Sequence, residues 1–212
     1  MNIHKLLFIF CLCFLLGKLA HGQVRSITLV AAQGQNSKLP KEILAQYNDV
    51  KAYVQATTGI KLKLKKFVVV KNPADKLFDD YYQDVDAFNR LKWWGSKRFN
   101  SNIVFFVTNP FREGFFGNYE YYMLGRGEVC GKYAYSTAQN WNDLGQYRSF
   151  HSTVAMAHEL LHVLGANHLE SNDINIMKPG TLFFLGDSKV MPRLDPITLA
   201  EIQKCQKRKG RR

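Results

Sequence analysis

Hydrophobic and polar positions along the chain switch between a period near two and a period near 3.6, and the switches mark out the elements. Residues 25–32 are β-rich through Ile27, Leu29 and Val30 and predict a first strand. Residues 41–58 carry Ile43, Tyr47, Val50 and Val54 at the 4-3-4 spacing of an amphipathic helix, with Pro40 at its start and Gly59 at its end. Residues 60–65 then alternate strictly (Ile-Lys-Leu-Lys-Leu-Lys), so a second strand shows one face to water, and residues 67–70 extend it. Asn72-Pro73 with Asp75 is a helix-start signal, followed at helical spacing by Leu77, Tyr81, Val85, Phe88 and Leu91 to an end near Gly95. The aromatics of this stretch, Tyr81, Tyr82, Trp93 and Trp94, read as core rather than as base-stacking groups. Residues 103–108 are apolar without a break, which predicts a strand buried on both faces in the middle of a sheet.

The order strand, helix, strand, helix, strand predicts an α/β layer with mainly parallel strands. Residues 111–127 are aromatic and glycine-rich and read as a loop or short-strand region. Residues 130–137 have a weak strand pattern through Tyr133 and Tyr135. Residues 153–164 are apolar on nearly every side, the pattern of a buried helix. A last helix is predicted over 196–205 through Leu199, Ile202 and Cys205. No repeat, low-complexity segment or linker interrupts the chain, so a single folded domain is expected.

The first 22 residues stand apart. Lys5 is followed by the apolar run 6–17 and by Ala20-His21-Gly22, the layout of a secretory signal peptide. Cleavage after Gly22 would remove 22 of the 212 residues and leave 190, beginning at Gln23. The apolar run is shorter than the roughly 20 residues that span a bilayer, and no other stretch approaches that length. A secreted, extracellular protein with no membrane span is the expectation.

Composition changes this reading little; charge changes it more. Hydrophobic residues make up 46% and aromatics 13%, enough for a real core, which excludes disorder as the main description. A formal charge of +12 first suggests a polyanion partner. Loss of Lys5 and Lys18 with the signal lowers it by two, however, and six further cations (Lys204, Lys207, Arg208, Lys209, Arg211, Arg212) fall in the last stretch, 204–212. The body is only mildly basic. The basic tail is a candidate for heparan sulfate or an acidic membrane surface, and a secretory address argues against nucleic acid.

Cys11 and Cys13 lie in the signal, leaving Cys130 and Cys205. In a secreted chain two cysteines are expected to pair; two free or intermolecular thiols are the alternative. The bond would close a loop of about 75 residues, worth roughly 4 kcal/mol by loop entropy.

Within the buried helix lie titratable residues that a plain core would exclude: His158-Glu159-Leu160-Leu161-His162, then Gly165 and His168. Residues four apart on a helix face the same way, so His158 and His162 can aim ring nitrogens at one cation. Catalytic zinc takes three protein ligands and keeps a further position open. Glu159 follows the first ligand and is placed to act as a base for water rather than as a ligand. A third ligand at His168 requires the helix to end; Gly165 can take the left-handed conformation that ends it and brings His168 back. With the signal removed the chain has four histidines, and three belong to this unit. His151, just ahead of the helix, reads as a surface or capping residue.

His158-Glu159-x-x-His162-x-x-Gly165-x-x-His168 resembles the zinc signature of the metzincin metalloendopeptidases, and Asn175-Ile176-Met177-Lys178-Pro179 resembles their Met-turn, with Met177 as its methionine. Together with Gly127-x-x-Cys130 and the last helix bearing Cys205, the chain is most similar to the adamalysin (reprolysin) branch, in which a cysteine at the position of Cys130 is joined to one in the last helix. The resemblance implies a metzincin-like α/β catalytic domain: a twisted, mostly parallel sheet with an antiparallel edge strand, an active-site helix, a Met-turn and a C-terminal helix. It implies one catalytic Zn2+ on His158, His162 and His168, Glu159 as general base, and protein or peptide substrates cut by a monomer. Leu169 and Asn175 depart from the branch pattern, which has Asp and Cys there. Thr28 and Asn109 stand where acidic calcium ligands are expected, so the resemblance does not carry a structural calcium. The domain reading is a signal over 1–22, a catalytic domain over 23–203 and a basic tail over 204–212. Residues 132–136 are expected to supply the upper edge strand on which substrate lies, and residues 181–193 one wall of the pocket beyond the cut. The alternative reading is a secreted polyanion-binding protein with a vestigial zinc site.

Overall fold

The unbroken apolar run at 103–108 forms β3 (Ile103–Thr108), and every one of its residues is buried. It is central because the sheet around it is covered on both faces. The computed structural model describes residues 23–33, 40–71, 84–108, 111–116, 119–123, 125–137, 149–170, 174–179 and 190–210. Ahead of β3 come β1 (Val24–Gln33), α1 (Pro40–Thr58), β2 (Lys61–Lys71) and α2 (Asp84–Ser96). After it come β4 (Phe111–Phe116), β5 (Tyr119–Met123), β6 (Gly125–Gly127), β7 (Tyr133–Thr137), α3 (Ser149–Leu164) and α4 (Pro196–Lys209).

Among the described residues five strands make one sheet in the order β2-β1-β3-β7-β6, and β4 and β5 form a separate antiparallel pair. β1 is parallel to β2 and β3, and β3 is parallel to β7. β6 runs antiparallel to β7 and is the outer strand, pairing Gly125 with Ser136 and Gly127 with Ala134. Residues 132–136 are therefore not the edge strand. β7 has a neighbour on each side, and the glycine-rich segment before it takes the edge.

The period-two alternation of β3 divides the core. Ile103, Phe105 and Val107 pack with Ile27 and Leu29 of β1, with Tyr47, Val50 and Val54 of α1, and with Leu160 and Leu164 of α3. Val104 and Phe106 face the other side, against Phe88, Leu91 and Trp94 of α2 and Tyr135 of β7. At roughly 1.5–3 kcal/mol for each large apolar side chain taken from water, these layers dominate the stability of the domain. The alternation of β2 is broken by a register shift opposite Ile27 and Thr28, so Leu64 and Phe67 both face the first layer while Val68 and Val70 face the second.

Trp94 is buried against Phe99 and Phe106, as expected for a core aromatic. Trp93 is not: it is 60% exposed, and the Lys97 ammonium lies 3.8 Å from its ring centroid. One residue along a helix turns the side chain about 100°, which carries Trp93 from the core face to the outer face. Tyr81, Tyr82 and the helix-start signal at 72–75 lie outside the described residues, as do residues 1–22, read from the sequence as a signal, Asn109, Arg211 and Arg212. Thr28 is buried in β1, where its hydroxyl lies 2.5 Å from that of Ser101. α4 is capped by Asp195, whose side chain accepts the Ile197 N–H at 2.8 Å, and Pro196 occupies its first turn. The helix continues across the 203/204 boundary to Lys209, so most of the basic stretch is helical. Among the described residues no helix is long and apolar enough to cross a membrane.

Candidate metal centre

α3 carries His158 and His162 one turn apart. At its end Gly165 takes a φ of 122°, a conformation side-chain-bearing residues rarely adopt, and the chain turns back. Gly165 N–H is shared between the Leu161 and His162 carbonyls (3.0 and 2.8 Å), and Ala166 N–H reaches Leu161 O at 3.0 Å, which closes the helix. The turn returns His168 to the other two histidines. The three Nε2 atoms form a triangle with every side 3.1 Å.

These are not ordinary hydrogen bonds. His158 Nδ1 lies 2.6 Å from Ile176 O, and His162 Nδ1 lies 2.8 Å from Ala166 O. A carbonyl can only accept, so in both rings Nδ1 carries the proton and Nε2 presents a lone pair. At least two lone pairs thus point into one small space. Burial lowers the His158 pKa to about 3, assisted by the neighbouring His162, and lowers that of His162 to about 4. Burial also lowers the His168 pKa. At neutral pH the rings are uncharged, the form in which imidazole binds a metal. Around a tetrahedral zinc with bonds of about 2.0–2.1 Å, ligand nitrogens lie about 3.3–3.4 Å apart, close to the observed spacing. Among the described residues this is the group of His, Cys, Asp and Glu side chains able to hold an ion.

Second contacts hold the triangle from two sides. Residues 174–179 form the turn around Met177. Asn175 Oδ1 accepts the Met177 N–H at 2.9 Å, and Ile176 O anchors His158. Met177 O accepts the Leu169 N–H at 3.0 Å, next to His168, and the Met177 side chain is fully buried. Asn175, which departs from the branch pattern, therefore shapes this turn through its own hydrogen bond. On the other side α4 grips the return loop. Glu201 accepts both the backbone and side-chain N–H of Asn167 at 2.9 Å, and Gln206 donates to Leu164 O at 2.7 Å. Cys130 and Cys205 are joined in a disulfide with Cα atoms 5.8 Å apart. Cys130 N–H donates to His162 O at 2.9 Å, and Gly165 packs directly on Cys205.

Glu159 is buried at 7% exposure beneath the edge strand β6. A Cβ on Gly125 would stand 2.6 Å from Glu159 Cγ and 2.8 Å from Oε1. One on Gly127 would stand 2.5 Å from Glu159 O and 2.8 Å from His162 Cβ. The strand can lie on the helix only because these positions lack side chains. The histidine motif does not predict this requirement. Its signal in the sequence is a pair of glycines two apart in a strand, the mark of close backbone approach. Residues 181–189, most of the expected pocket wall, and the His151 side chain lie outside the described residues.

The sequence matches no protein-family model and no curated protein sequence. Among solved structures it is similar to archaemetzincin from Methanopyrus kandleri, with a TM-score of 0.62 and 16% identity over 88% of this chain and 98% of that one. It is also similar to metalloproteinase-II from Bacteroides fragilis, with a TM-score of 0.51 and 17% identity over 87% of this chain and 54% of that one. A chain in a chaperone–substrate complex matches with a TM-score of 0.54 and 18% identity, over 88% of this chain and 35% of that one. At these identities the likeness is one of fold: a mixed α/β domain of the metzincin type.

Proposed function

We propose that the chain is a zinc-dependent endopeptidase of the metzincin kind, secreted after loss of residues 1–22 and acting as a monomer on extracellular proteins or peptides. The observation that carries this reading is the triangle of Nε2 atoms. Two of its rings are locked by backbone carbonyls into the tautomer that leaves a lone pair inward. Such an arrangement is costly without a cation and favourable with one.

His158, His162 and His168 would hold the zinc. When bound, it supplies Lewis-acid chemistry, polarising a peptide carbonyl and making water a better acid. Glu159 accepts the proton of the attacking water on its carboxylate and passes it to the leaving amine. The outer side of β6 offers backbone groups to which an extended substrate can add as a further strand. Met177 packs under the site, and Ile176 O holds the His158 proton at Nδ1. The adamalysin branch is supported by Gly127-x-x-Cys130 together with the bond from Cys130 to the last helix.

The test is digestion of a mixed peptide library by the wild type, with and without a zinc chelator, beside a Glu159→Gln variant. Cleavage abolished by chelator and restored by zinc is expected. Glu159→Gln is expected to retain zinc while losing at least about 100-fold in activity. Chelator-resistant cleavage overturns the zinc reading, and full activity in Glu159→Gln overturns the base assignment alone.

A further inference from the structure

A concavity of about 470 Å³ lies at the C-terminal end of α3, lined by Val163 and Leu164 and by none of the three histidines. Arg25 at the start of β1, Lys132 ahead of β7 and Lys209 at the end of α4 contribute to its lining, together with Gln206 and Asn102. The three cations come from segments distant in sequence, so only the fold brings them together. Lining residues include no carboxylate. Among the described residues no carboxylate forms an ion pair with any of the three. Glu128, whose charge does reach Lys209, is engaged with Lys92 at 2.6 Å and with the Lys132 and Tyr133 N–H groups.

The cations are also held in place. Gln206 is buried at 4% exposure, donates to Leu164 O, and uses its carbonyl to accept Arg25 Nε–H at 2.8 Å. Lys209 Nζ donates to Gly131 O at 2.5 Å, and Lys132 Nζ donates to Phe99 O at 3.1 Å. Each ammonium keeps hydrogens to spare, and the guanidinium keeps its Nη1 hydrogens. Burial lowers the pKa of Arg25; burial, with the nearby Arg25 charge, lowers that of Lys209 against the opposing pull of Glu128. Positive charges desolvated beside one another destabilise the fold unless an anion joins them.

We infer that this pocket, bounded by Arg25, Lys132 and Lys209, binds a tetrahedral oxyanion, the sulfate or phosphate group of a small ligand or sugar ester. A fixed guanidinium beside two ammonium groups, with no carboxylate in the lining, is the donor set such a group needs. The site differs from a diffuse basic tail because the exposed Lys204 and Lys207 on α4 are not part of it. It contains none of the three histidines, though Cys130, Leu164 and Gln206 of its lining also support the helix end that carries them, so binding rather than proteolysis reports on it.

The experiment is calorimetric titration of the full chain with sodium sulfate, sodium phosphate and a sulfated heparin disaccharide, at constant ionic strength. Two variants of equal charge change are compared, Arg25→Gln/Lys209→Gln in the pocket and Lys204→Gln/Lys207→Gln on the helix surface. Saturable binding is expected, weakened about tenfold or more by the pocket pair and by less than about twofold by the surface pair. Saturation by the disaccharide as well as the inorganic ions assigns a sugar ester; saturation by the ions alone assigns a free oxyanion. Absence of saturable binding to any probe, or equal weakening by the two pairs, overturns the proposal. Should the double variant not fold, Lys209→Gln alone at the last turn is expected to weaken binding about threefold or more, and an unchanged affinity counts equally against the pocket.

Discussion

The two edges of the sheet meet opposite demands. β2 is 11 residues long and faces solvent, with Lys61, Lys63, Lys65 and Lys66 all exposed. A row of lysines and a register shift make it a poor template for another strand. β6 is 3 residues long, and two of them are glycines pressed onto Glu159 and His162. Where the sheet meets only water, charged side chains were added. Where it meets the candidate site, side chains were removed so that backbone could approach. An edge of the second kind is short and lays its backbone directly on the helix that carries the histidines.

The largest effect on this contrast is expected from the disulfide that anchors the turn after β6. Replacing Cys130 and Cys205 by Ser should cost about 4 kcal/mol in urea unfolding, because the loop they close separates them by 75 residues. A loss well under 1 kcal/mol would mean that the hydrogen bonds of Glu201 and Gln206 hold the helix end alone. Next, Gly127→Val should cost about 1–3 kcal/mol and weaken zinc binding, since its side chain would collide with Glu159 O and His162. Unchanged zinc affinity in that variant would break the comparison outright.

Acid should act on the site side of the molecule first. Unfolded histidines protonate near 6.5, whereas the folded His158 and His162 do so only at about 3 and about 4. The unfolded chain therefore binds protons first. The stability of the metal-free protein, complete above about pH 6.5, should decline as pH falls through that window. Thermal melts of chelator-treated protein against pH check this, and a flat profile from pH 7 to 5 counts against buried neutral rings. The smallest effect is expected at the other edge: Lys63→Val should change stability by no more than about 0.5 kcal/mol while increasing self-association, measurable by sedimentation.

Much of the fold was legible because its signals are local. The spacing of Ile43, Tyr47, Val50 and Val54 marked α1, and the unbroken run of β3 marked the centre of the sheet, since each needs only its own neighbours to be read. Boundaries set by long-range contact were less legible. The edge was expected at 132–136 and lies at Gly125–Gly127, because glycine scores poorly as a strand former and is used here for the contact it permits. Trp93 is read as core with its neighbours and lies outside, because the helical turn that puts Leu91 and Trp94 on the inner face of α2 carries Trp93 to the outer one.

The sequence by itself determined the periodicities, the cysteines at 130 and 205, and the 158, 162, 168 spacing with a glycine between. Each is a property of chain geometry over a few residues or of composition. Only the tertiary structure decided which ring nitrogens point inward, because Ile176 O is supplied by a turn 18 residues away from His158. It also decided that Gly125 and Gly127 must lie on Glu159 and His162, and that Arg25, Lys132 and Lys209 share one pocket. Such convergences depend on packing between distant segments, and no window along the chain contains them.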